Sequence, residues 1–241
     1  MQTFANPTRF LKLSDRLLPW AGALTLIAFA GGLYLALVEA PQDYQQGETV
    51  RIMFVHVPAA WLALLVYSFM ALAHSTAIVL RHPLADVAAK AAAPLGASFA
   101  FLALATGSLW GKPMWGTWWQ WGDARLTSMF VLFLLYLGYL ATWEAISDPM
   151  RGARIAAIVA IVGFINVPIV KFSVDWWSTL HQPASVLRLG GPTIHSSLLL
   201  PLMAMAVAYG MLFIWLWLIG MKAEILKRRV RHMQIAAAGK A

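Results

Sequence analysis

Four tryptophans fall within seven residues of the stretch GKPMWGTWWQWGDARLTS, which runs from Gly111 to Ser128: Trp115, Trp118, Trp119 and Trp121. Trp115, Trp118 and Trp119 stand at i, i+3 and i+4, a spacing that puts three indoles on one face of a short surface helix. Indole planes gathered on one face make a platform for a flat, apolar, polarisable ligand. Tryptophan also favours membrane interfaces, and Trp20, Trp61, Trp143, Trp215 and Trp217 read as such a belt. The concentration in one connection, mixed with Gly116, Gly122, Asp123 and Arg125, exceeds what a belt needs.

Two histidines bracket this platform. His56 lies two residues before Pro58 in MFVHVPAAW. The positive end of a helix there disfavours imidazolium and leaves a neutral imidazole, which suits a metal. His181 follows Trp176 and Trp177 in KFSVDWWSTLHQP, and His195 is the alternative ligand. The absence of cysteine excludes thiolate metal sites, thioether attachment of haem and internal disulfides. Two histidines beside an aromatic platform, with no carboxylate cluster, point to axial ligation of haem iron from opposite sides. Arg51, Arg125 and Arg188 supply guanidinium groups, which pair well with carboxylates such as haem propionates. No general base or nucleophile is evident, so the residues describe a binding scaffold rather than an enzyme.

The elements that must position these groups are read from hydropathy. The 241 residues are 61% hydrophobic and 12% charged, which is outside the range of a soluble globular domain. Six apolar runs, at about 17–38, 57–80, 89–110, 127–147, 154–173 and 197–220, are long enough to cross a hydrocarbon core. Continuous runs without alternation choose helices over a barrel. Pro19 and Pro58 sit in the first turns of their spans, where a missing N–H costs little. Pro168, next to Asn166, predicts a kink in the fifth. The first run is too long for a cleaved signal peptide and reads as an anchor. The expected fold is an all-α membrane protein of six transmembrane helices forming one domain over 1–241.

Charge sets the expected orientation. Arg9, Lys12, Arg16, Arg81, Lys90, Arg151, Arg154, Lys222, Lys227, Arg228, Arg229, Arg231 and Lys240 are 13 of the 18 basic residues and share one side; Arg51, Lys112, Arg125, Lys171 and Arg188 lie on the other. The positive-inside rule then puts both termini in the cytoplasm. The longer connections, about 39–56, 111–126 and 174–196, face outward, and function concentrates in such loops. The net charge of +8 is thus a topology signal rather than a nucleic-acid footprint, and the tail from Lys222 reads as an anchor held by anionic lipid. The spans carry almost no ionisable groups, so no charged relay crosses the bilayer. His74, about 25 Å down the second span, reads as structural, and His82 and His232 as solvated.

With these residues in place, WGTWWQWGDARLTS resembles the haem-handling "WWD" signature of cytochrome c maturation proteins. MFVHVPAAW around His56 and KFSVDWWSTLHQ around His181 resemble its CcmC branch, over residues 15 to 220 or so. The sequence departs at Gly122, which stands between Trp121 and Asp123 where the family pattern runs W-x-W-D-x-R-L-T. The resemblance implies haem b held at the periplasmic surface of the bacterial inner membrane, with His56 and His181 as axial ligands. Trp115, Trp118, Trp119, Trp121 and Asp123 would form the platform. It further implies delivery to the haem chaperone CcmE, with the ABC-type CcmA and CcmB and the small membrane protein CcmD releasing the loaded chaperone. A transporter that itself moves haem across the membrane is the alternative. A bis-histidine electron-transfer cytochrome ranks third, because His74 has no partner in another span.

Overall fold

The computed structural model describes residues 6–238, so Lys240 of the basic tail lies outside the described residues. The elements are helical: α1 (Pro7–Tyr34), a π-helical turn at Leu35–Glu39, a 3-10 turn at Glu48–Ile52, α2 (Met53–Val79), α3 (Ala85–Trp115), α4 (Ala124–Ala145), α5 (Pro149–Gly163), α6 (Asn166–Trp176) and α7 (Ser196–Ala238). Six stretches are long and apolar enough to cross a membrane, with α5 and α6 together making the fifth. The chain is an all-α, multi-pass membrane protein.

Two spans outrun their apolar runs, each for a local reason. α1 begins ten residues ahead of the expected 17 because the Asn6 side chain caps it, accepting from the Thr8 and Arg9 amides, with Pro7 in the first turn. α7 continues to Ala238 rather than stopping near 220, through strong helix formers such as Lys, Glu, Leu and Arg. Ion pairs fasten this extension to its neighbours: Glu224 with Lys90 at 2.9 Å and Arg228 with Asp86 at 2.8 Å. The fifth span breaks at Phe164–Ile165, as Pro168 predicts, since proline has no N–H to offer the Phe164 carbonyl. The Val167 amide takes that carbonyl instead at 3.0 Å. Asn166 Nδ2 donates to the Ser128 carbonyl at 2.9 Å and pins the break against α4.

α2 lies along α3, and α1 along α7. In lipid the hydrophobic effect does not drive helices together, so close approach and van der Waals packing must. α3 provides this with buried Ala89, Ala92, Ala93, Ala97, Ala100 and Ala103. Buried tyrosines add hydrogen bonds across helices: Tyr67 donates to the Val159 carbonyl (3.1 Å) and Tyr136 to that of Ala63 (2.7 Å). His74 is buried with Nε2 2.9 Å from the Tyr139 hydroxyl, a structural position as expected. Pairing of Lys222 with Asp15, and of Arg229 with Thr8, brings both terminal segments to one end of the bundle. The three longer connections occupy the other end.

Candidate functional site

At the end remote from the termini, α2, α3, α4, α6, α7 and the segment 177–195 enclose a cavity of about 310 Å³. Of the ten expected site residues, His56, Trp115, Arg125 and His181 line it. Its floor is apolar, with Ala60, Leu64, Met129 and Leu202.

His56 is in the first turn of α2, with Nδ1 3.0 Å from the Ala103 carbonyl and 3.2 Å from Thr106 Oγ1. A carbonyl only accepts, so Nδ1 carries the proton and Nε2 keeps a free lone pair. Trp110 meets the imidazole edge-on at 5.8 Å. Gly107 makes the room: a Cβ there would stand 2.9 Å from His56 Cε1.

His181 sits outside any helix, in the segment after α6. Its ring meets Trp115 edge-on at 4.8 Å. Nδ1 is buried without a hydrogen-bond partner, 3.7 Å from Asp123 Oδ1. Burial pushes the imidazole down to about 4; the Asp123 carboxylate works against that shift, and Arg125 and His56 add to it. The ring is therefore neutral near pH 7, the form that ligates metal.

Asp123 is a tie between elements. Its carboxylate is buried and caps α4, with Oδ1 accepting from the Leu126 amide at 2.9 Å. Oδ2 accepts from the Leu180 amide at 2.7 Å, which fastens the residue next to His181. Arg125, two residues on, gives Nε to Ser173 Oγ and Nη2 to the Lys171 carbonyl, each at 3.2 Å. Nη1 has no partner among the described residues, which leaves the cation a donor for the cavity.

The expected surface helix through Trp115, Trp118 and Trp119 is not formed. α3 ends at Trp115 because Gly116 adopts a left-handed conformation (φ 76°), which stops the helix. Beyond it the chain bends, held by Ser108 Oγ donating to the Trp118 carbonyl and Thr117 Oγ1 to that of Trp119. The indoles therefore do not share a face. Trp119 and Trp121 pack edge-to-face at 5.3 Å and both rest on Phe130, outside the cavity lining. Trp118 is half exposed, with the Lys112 ammonium 6.0 Å above its ring. Gly122 lies in the turn closed by the Asp123 amide on the Gln120 carbonyl, so the extra residue is absorbed before α4 begins.

The remaining candidates are placed elsewhere. Arg51 pairs with Glu48 and donates to the Ala36 carbonyl at 2.7 Å, tying the 3-10 turn to the π-helical turn after α1. Arg188 is exposed and outside the cavity lining. His195 Nδ1 accepts the Ser197 amide at the start of α7. Among the belt tryptophans, Trp61 lines the cavity and Trp217 donates to the Ala88 carbonyl at 3.0 Å. Thr106, Gly107 and Trp110 went unrecognised as partners of His56. The signal available was the run TGSLWG, a small and polar interruption near the end of an apolar span.

A family model described as heme exporter protein C matches residues 1–236. Curated relatives with that name include one from Bradyrhizobium diazoefficiens, 60% identical over 236 residues, covering 98% of this chain and 89% of the relative. Another, from Haemophilus influenzae, is 44% identical over 237 residues, covering 98% and 96%. A ccmC-like mitochondrial protein of cytochrome c biosynthesis from Marchantia polymorpha is 49% identical over 173 residues, 72% of each chain.

Proposed function

Since the chain belongs to the heme exporter protein C family, we propose that it holds haem b at the periplasmic surface of the bacterial inner membrane and delivers it to the chaperone CcmE for c-type cytochrome biogenesis. His56 and His181 are the axial ligands in this reading. CcmA, CcmB and CcmD complete the assembly, and both termini lie in the cytoplasm.

The observation that carries the proposal is the presence of two imidazoles in the lining of one cavity. His56 has its Nδ1 engaged by a backbone carbonyl, and His181 has Nδ1 beside a carboxylate. The carbonyl fixes the tautomer and ring orientation of His56, as such partners do for metal-bound histidine, whereas His181 Nδ1 is left without a hydrogen-bond partner. The rest of the donor set agrees: an apolar floor for a macrocycle, an arginine with a free nitrogen for a propionate, and Trp115 against one ligand. Among the described residues no group of three or more His, Cys, Asp or Glu is placed to chelate a bare ion. At about 310 Å³ the cavity is at the small end of ligand sites, which suits a cargo left partly exposed for handover. Bound haem supplies the iron and the vinyl groups; the protein's share is binding, orientation and exclusion of water.

A path for haem through the whole bundle finds less support. Below the cavity, Tyr67, Met70 and His74 fill the second half of α2 as buried core. The test is the absorption spectrum of protein purified with haem. His56→Gly and His181→Gly are each expected to lower haem content and alter the Soret band, with added imidazole restoring it. Unaltered spectra and haem content in both variants would falsify the assignment.

A further inference from the structure

The end of the bundle that carries the termini has a cavity of its own, of about 290 Å³, which the haem reading does not use. It lies between the end of α2, the connection 80–84 and the second turn of α5. Arg81, His82 and Arg154 line it, with His74 on its inner side. Within the lining itself, charge is one-sided. Asp86, the acid in the lining, is already paired with Arg228 at 2.8 Å. Outside the lining, Glu224 is held by Lys90 and Arg228 and Asp15 by Lys222; Asp148, which caps α5 through the Met150 amide, and Glu144 at the end of α4 have no ion pair among the described residues. Arg81 and Arg154 have neither an ion pair nor a hydrogen bond among the described residues. His82 Nδ1 accepts from the Leu84 amide at 3.4 Å, which puts the neutral ring's proton on Nε2 as a further free donor.

The rest of the lining is small and apolar: Ala77, Ala153 and Ala157, with Ile78 and Pro83. Around this lining, Ile78, Val79, Leu80 and Ile158 are all more than half exposed, as side chains that face lipid are. Two guanidinium groups without an ion pair therefore stand where an apolar membrane surface meets water. Guanidinium is the side chain best matched to the planar, bidentate recognition of phosphate.

We infer that this cavity binds the phosphate headgroup of an anionic phospholipid between Arg81 and Arg154, with acyl chains running along Ile78, Val79 and Ile158. Arg81 has a left-handed backbone (φ 51°) directly after the cap of α2, a position that glycine ordinarily fills. Arginine there serves the site, not the turn. The inference is independent of haem.

Native mass spectrometry of the full chain in detergent tests it, with phosphatidylglycerol and phosphatidylcholine of identical acyl chains added in turn. The wild type is expected to retain phosphatidylglycerol several-fold better. Arg81→Asn with Arg154→Gln is expected to abolish the preference, and asparagine tolerates the left-handed turn. Lys12→Gln with Lys227→Gln removes equal charge at the same end and is expected to preserve it. Displacement of the lipid by millimolar inorganic phosphate supports the phosphate chemistry and makes free phosphate an occupant; failure to displace it assigns the site to the lipid. Equal retention of both lipids, or equal loss of preference in the two double variants, overturns the proposal.

Discussion

Asp123 Oδ1 stands 3.7 Å from His181 Nδ1 while Oδ2 of the same carboxylate holds the neighbouring Leu180 amide at 2.7 Å. One buried side chain thus caps α4, fastens an irregular segment and faces the unengaged nitrogen of a proposed ligand.

Removing that charge should be felt in both roles. Asp123→Asn replaces one acceptor oxygen with a donor opposite an N–H, and an unmade buried hydrogen bond costs about 1–3 kcal/mol. We expect a lower unfolding temperature for the haem-free protein and a reduced Soret absorbance per chain. An unchanged melt with unchanged haem content would show that the tie is dispensable.

Gly107 is the close approach that seats His56. Gly107→Ala places a methyl 2.9 Å from the imidazole, and overpacking of this kind costs about 1–3 kcal/mol. The ring must shift from the Ala103 carbonyl, so a perturbed haem spectrum is expected. Gly31→Ala, where nothing lies within 4 Å, should leave the spectrum as it is. Matching spectra for the two variants would remove Gly107 from the site.

The burial of His181 has a pH signature in the haem-free protein. Its imidazole titrates near 4 in the fold against about 6.5 in an unfolded chain. Between those values the unfolded state binds more protons, so stability is lost as pH falls from about 6.5 toward 4. Denaturant midpoints measured across this window should decline in the wild type and decline less in His181→Gln. Parallel declines would assign the effect to other groups.

The tryptophans should separate by function. Trp115→Ala removes the ring against His181 and is expected to change the haem spectrum with little loss of protein. Trp119→Ala removes the ring that packs on both Trp121 and Phe130, so abundance should fall first. Haem content per folded chain decides between them; equal values for both variants would restore a single platform.

What was legible in the sequence followed from long-range regularity. Six apolar runs announced six spans, Pro168 marked the broken fifth, and spacing within the chain gave His56 and His181 to the same end. What was hidden depended on single backbone states or on distant partners. The left-handed Gly116 undid the helical face of Trp115, Trp118 and Trp119, and i, i+3, i+4 spacing is mute about that. Asp123 as a tie required Leu180, 57 residues away. The acids that claim Lys90 and Arg228 came from other helices, so Arg81 and Arg154 emerged as unpaired cations only after the tail folded back.

The two proposed ligands are mounted differently. His56 rides on a helix locked into the bundle, whereas His181 is carried by a stretch without regular structure that Asp123 fastens from below. The cavity is in effect a vice with one jaw on a helix and one on a tied loop. One proposed ligand is thus set by the packing of the bundle, and the other by the hydrogen bonds of a single carboxylate.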